Sequence, residues 1–130
     1  MADTVHSRVL ENGARNLVIQ CTNFSDGTGE TNVTKVSAAT YGLTASSKIR
    51  MIDFVVPTGL VQVQWKASSN VDAAILAGTG TLWHLRDTQG IWNDAGSGVT
   101  DDITFTTQGF KAVATAASGY NIILYIIKGT

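Results

Sequence analysis

Apolar and polar side chains alternate with a period of two along Val61-Gln62-Val63-Gln64-Trp65-Lys66, which is the pattern of a strand with one face on a core and one in water. Ile103 and Phe105 alternate with Asp102, Thr104 and Thr106 in the same way. Leu17, Ile19 and Cys21 alternate with Gln20 and Thr22, but Val18 interrupts the polar row, so that strand has a partly covered outer face. Ile49 to Val56 and Tyr120 to Ile127 are apolar on both faces and belong in the middle of a sheet, or on a sheet with a neighbour on its outer side. Weaker strand signals lie at Ser7 to Glu11, Val33 to Ser37, Val71 to Leu76, Thr81 to Leu85 and Phe110 to Thr115, where β-branched Val113 and Thr115 outweigh a helical reading of the alanines.

Turn chemistry separates these runs: Glu11-Asn12-Gly13, Ser25-Asp26-Gly27, Pro57-Thr58-Gly59, Ala95-Gly96-Ser97-Gly98 and Ala117-Ser118-Gly119. Ser37 to Ser47 follows neither period and reads as a long loop or crossover of the kind that joins sheets in Greek keys and jelly rolls. The expected fold is an all-β, single-domain β-sandwich, jelly-roll-like, with about eight to ten short strands. Residues 11–130 form the sandwich. Met1 to Leu10, with Val5 and Val9 set among polar neighbours, is an N-terminal arm or an edge strand that adds to a neighbour's sheet.

Composition narrows the functional classes. The chain is 44% hydrophobic with only 15% charged residues, against roughly 25% charged in ordinary soluble domains. Such a chain has little polar surface to spare and suits packing into a larger assembly. Its formal charge is -1 with no run of one sign, so no footprint for a polyanion is present and direct nucleic-acid binding is not expected. Cys21 has no second cysteine to pair with and reads as a buried thiol. Met1-Ala2-Asp3-Thr4-Val5 lacks the basic start and apolar core of a secretory signal, and no run approaches the ~18 apolar residues of a membrane-spanning helix. The sequons Asn23-Phe24-Ser25 and Asn32-Val33-Thr34 are then chance matches.

The search for chemistry returns little. Asp26-Gly27-Thr28-Gly29-Glu30 has the acids and glycines of a cation loop, but the calcium-loop template fails at Thr31, where glycine is needed, and at Ser37, where an acid is needed. Asp101 and Asp102 are adjacent and would point to opposite faces of a strand. His6 and His84 have no ligand at metal spacing beside them. Ser97 lies in Ala95-Gly96-Ser97-Gly98, which is not a nucleophile elbow. The reading is therefore a non-enzyme with no cofactor, metal or small-molecule substrate. Of the tryptophans, Trp65 and Trp83 read as core, whereas Trp92, in the loop-like Gln89 to Asp94, reads either as an interface anchor or as a cap on the domain's own sandwich.

Cys21 to Glu30 followed by Val33-Thr34-Lys35-Val36, then Gly90 to Gly109, then Tyr120-Asn121-Ile122-Ile123-Leu124 resemble, in matching order, small virion structural proteins of tailed bacteriophages. The resemblance covers most of the chain after the first ten or so residues and departs in a shortened middle, Thr40 to Lys48. It implies a capsid decoration, or cement, protein: a jelly-roll-like sandwich made in the bacterial host cytoplasm and bound as a trimer to the outside of the virion head. Its partners would be the major capsid protein and copies of itself. Candidate interface residues are Val5, His6, Arg8 and Val9 in the N-terminal segment and Trp92 and Asn93 in the later loop. A tail, neck or fibre component, or a carbohydrate-binding adhesion module using exposed tryptophans, is the alternative.

Overall fold

A computed structural model describes residues 4–25, 29–44, 46–83, 91–93, 98, 100–109 and 118–128. The described chain is almost entirely antiparallel sheet: β1 (Thr4–Asn12), β2 (Asn16–Ser25), β3 (Val33–Val36), β4 (Lys48–Trp65), β5 (Val71–Trp83), β6 (Ile91–Trp92), β7 (Ile103–Gln108) and β8 (Ser118–Ile127), with one helical turn, α1 (Ala38–Tyr41). This is the expected all-β, single-domain, jelly-roll-like sandwich, with sheet neighbours that are mostly non-consecutive in the chain.

The architecture follows from one long bent ribbon. The Lys48 to Val55 half of β4 pairs with β8 on one edge, and the Leu60 to Trp65 half pairs with β7 on that same edge. β5 runs along the other edge of both halves, with the register broken between Val56 and Val61. The first half thus belongs to a sheet ordered β1-β2-β8-β4-β5, and the second to a sheet ordered β3-β7-β4-β5. Pro57 has no N–H to give to a ladder, and Gly59 adopts φ 69°, so the break sits where the sequence tolerates it. A Cβ on Gly59 would lie 2.3 Å from the Gln108 carbonyl oxygen.

Inward-facing rows fill the space between the sheets. Leu17, Ile19 and Cys21 of β2, Ile122, Leu124 and Ile126 of β8, Ile49, Ile52 and Val56 of β4, Val61, Val63 and Trp65 beyond the bend, and Ile103 and Phe105 of β7 are all buried. Each large apolar side chain removed from water contributes about 1.5–3 kcal/mol. The sheets meet at Phe105 and Tyr120, whose rings pack edge to face with centroids 5.5 Å apart and planes at 69°.

Several expectations are corrected. Ile49 to Val56 and Val61 to Trp65 are one strand, and Pro57-Thr58-Gly59 is a bend inside it. Val71 to Leu76 and Thr81 onward likewise merge into β5, which is described as far as Trp83; Leu82 packs against the core while Thr81 is exposed. Ser37 to Ser47 holds α1, with the Ser37 hydroxyl accepting from the Thr40 N–H and Gly42 closing the turn at φ 72°. Gly119 is a strand residue opposite Phe24 and not part of a turn, and a Cβ there would meet the Asn23 carbonyl oxygen at 2.2 Å. Gln64 is buried, although it stands in the polar row: it donates to Asp72 Oδ1 at 3.1 Å, and its Oε1 accepts from Thr106 at 3.0 Å. A polar row that satisfies itself does not need water. Phe110 to Thr115, His84, Leu85, Asp26 and Ser97 lie outside the described residues.

Candidate assembly interface

β1 is an edge strand hydrogen-bonded only to β2 among the described residues, from Thr4 opposite Phe24 to Asn12 opposite Leu17. It leaves β2 through a hairpin closed by Gly13 N–H to the Asn16 carbonyl at 2.9 Å. Val5, Ser7 and Val9 stand opposite Asn23, Cys21 and Ile19, which are buried, so they lie in the core-facing row. Among the described residues, no strand of the second sheet reaches over them. Val5, Val9 and Leu10 are consequently 44–50% exposed. His6 and Arg8 fall in the other row, opposite Thr22 and Gln20, and are exposed as well.

Trp92 is placed by strand pairing and not by a loop, which corrects the sequence reading: it stands opposite Lys48 in β6. Asn93 follows it, half-buried, and donates to Asp101 Oδ1 at 3.1 Å. The two groups of candidate residues are not brought together. β1 and β6 are the outer members of β1-β2-β8-β4-β6, which at strand spacing puts them roughly 19 Å apart. Asp101 and Asp102 precede β7 and do not lie on a strand: Asp101 has φ 64° and accepts from Asn93, and Asp102 accepts from the Ala38 N–H at 2.7 Å. Trp65 is wholly buried and offers no platform for a sugar.

Sequence reasoning missed a second apolar surface. Phe24 and Val55, both exposed, flank a shallow depression of about 250 Å³ that also takes in Pro57 and reaches Asn23 and Tyr120 at its floor. Phe24 lies next to the end of β2 and Val55 just before the bend of β4, and among the described residues no strand covers either.

It also missed a buried polar cluster beneath that depression. Lys35 Nζ lies 2.5 Å from Glu30 Oε2, and the two side chains are 4% and 5% exposed. Glu30 Oε1 accepts from the Tyr120 hydroxyl at 2.5 Å and from Asn23 Nδ2 at 3.0 Å. The Lys35 ammonium sits 5.9 Å from the ring centroids of both Phe105 and Tyr120. Lys35 continues the inward row of Val33, which stands opposite Phe105, and a register break between Thr34 and Val36 marks a bulge that lets Val36 face inward beside it. Glu30 is pinned from outside the pair: its N–H donates to Thr107 Oγ1 at 2.8 Å, and its carbonyl accepts from the Thr107 N–H at 2.9 Å. Burial, then the Glu30 carboxylate, hold the Tyr120 hydroxyl well above its ordinary range, so it is a donor at all ordinary pH. Burial likewise raises the Cys21 thiol to about 11. Asn23, buried in this cluster, is not a surface sequon.

Among the described residues no group of three or more His, Cys, Asp or Glu side chains is placed to hold a metal ion, and no helix is long and apolar enough to cross a membrane. No family model matches the chain, and no curated protein does so. Among solved structures, a cupin superfamily protein from Desulfitobacterium hafniense DCB-2 matches with TM-score 0.42 and 9% identity, over 100% of this chain and 82% of that one. A likeness of that size assigns neither ligand nor activity.

Proposed function

We propose that the chain is a virion structural protein: a capsid decoration, or cement, protein that binds the outside of a tailed-phage head as a homotrimer and stabilises it. The observation that carries this reading is β1, a nine-residue edge strand whose described side chains are all exposed and include Val5, Val9 and Leu10. Such an edge, roughly 30 Å long, presents main-chain donors and acceptors to a partner strand and apolar side chains to a partner surface. A monomer free in solution would be exposed to edge-to-edge association there. A subunit seated between neighbours uses the same edge as its contact. The low charge, and the ordered resemblance to phage structural proteins across most of the sequence, support the same role.

In this role the chain has no substrate, cofactor, nucleic acid or membrane to bind; its partners are the major capsid protein and its own copies. The test is to add the purified protein to expanded heads that lack it. Saturable binding, a trimer by sedimentation and a higher rupture temperature of the heads are expected. A monomer that leaves the rupture temperature unchanged would remove the reading, and particle images placing the chain on the tail, neck or fibres would move it there.

A further inference from the structure

We propose that Lys35 and Asn23 join covalently, through an intramolecular isopeptide bond whose formation is assisted by Glu30. The three side chains are buried together, and one carboxylate holds both reactants: Lys35 Nζ on Oε2 at 2.5 Å and Asn23 Nδ2 on Oε1 at 3.0 Å. An amine and a carboxamide pressed onto one acid in a pocket walled by Phe105 and Tyr120 are poised for an intramolecular reaction, for which positioning replaces a bimolecular encounter.

The step balances without an outside reagent. Lys35 passes a proton to Glu30 along their contact, leaving a neutral amine that attacks Asn23 Cγ. Glu30 then relays protons from Nζ to Nδ2. The Cγ–Nδ2 bond breaks, ammonia leaves, and the Cγ–Nζ amide remains, with one proton retained on Glu30. Two opposite charges buried from water are thereby exchanged for a neutral amide and a neutral acid, which removes their desolvation cost. Tyr120 is a positioning residue: its hydroxyl fixes Oε1 from the β8 side. The depression that reaches Asn23 and Tyr120 gives ammonia a short way out.

The bond would tie β2 of one sheet to β3 of the other, stapling the sandwich across its two layers. It is a single-turnover self-modification, independent of the role proposed above, and either can fail without the other.

The experiment is the intact mass of the denatured full-length protein, with tandem mass spectrometry of a digest. The expected result is a mass lower than that of the sequence by one ammonia, mapped to a branched peptide joining Lys35 to Asn23. The variants Lys35→Arg and Glu30→Gln, one without the amine and one without the proton acceptor, should both show the full mass. A full-sequence mass in the natural protein after prolonged incubation would overturn the proposal. So would an ammonia loss that maps instead to Asn12-Gly13, where an asparagine before glycine can cyclise. The cross-link persisting in Glu30→Gln would overturn the part assigned to the acid.

Discussion

At Cys21 burial decides behaviour that sequence pattern only suggested. Its thiol lies in the core-facing row of β2, fully buried, and burial raises it from 9.0 to about 11, with the Ser7 hydroxyl and Lys35 opposing in part. The unfolded chain therefore releases this proton at a lower pH than the folded one. Above pH 9 the unfolded state binds fewer protons, so stability falls as pH rises toward 11. Two units correspond to about 2–3 kcal/mol, and the raised Tyr120 hydroxyl acts in the same direction. Urea unfolding midpoints should hold steady near neutrality and drop over that alkaline interval, and Cys21→Ala should shrink the drop. A flat profile would show that the thiol is in contact with water. The neighbouring Glu30 and Lys35 were illegible in the sequence for a physical reason. Charged residues in a glycine-rich connection and a four-residue strand read as solvated; Lys35 falls in the inward row of Val33, and the Thr107 contacts draw Glu30 in beside it.

At the scale of elements, alternation located most of the strands, because one face of each is buried and a slip of one residue would invert it. What alternation hides is continuity. Pro57 and Gly59 carry the chemistry of a turn, yet the chain bends and resumes the same strand, since a bulge and a turn use the same residues. The two glycines of this bend are not equivalent. Gly59 has φ 69° and its Cβ would collide with backbone at 2.3 Å, whereas Gly78, on the facing strand with φ 76°, would meet nothing within 4 Å. Gly78→Ala should cost about 1–2 kcal/mol, the ordinary left-handed penalty. Gly59→Ala adds a clash between main chains that no side-chain rotamer relieves, and should cost at least about 2 kcal/mol more. Chemical denaturation of the two variants side by side checks the order; equal losses would show that the bend relaxes freely. The candidate interface was legible in part. Val5 and Val9 stand out among polar neighbours, but Val55 is hidden in a run that reads as core strand and Phe24 lies beyond the alternation of Leu17 to Thr22, and their exposure depends on which strands end where.

For the whole molecule, fold and assembly separate at the boundary between β2 and β1. β2 lies between β1 and β8 and its inward row is sealed by the second sheet, while β1 contributes no buried side chain among its described residues. Removing Met1 to Leu10 therefore takes away backbone pairing with β2 but little of the core. In the isolated domain the loss should be small, on the order of 1–3 kcal/mol, since each surface ladder bond is worth only about 1 kcal/mol net and β2 regains water along its edge. In the assembly it should be large, because the deleted strand is the surface offered to the neighbour. Replacing Val5 and Val9 by threonine tests the same division more gently: the strand persists, its pairing with β2 is kept, and only the apolar contact is weakened. Trimer formation and head binding should fall at least tenfold in both variants, with thermal unfolding of the monomer nearly unchanged in the double threonine variant. Parallel losses of monomer stability and binding would mean that the second sheet does cover β1 in solution, and that the edge is part of the core.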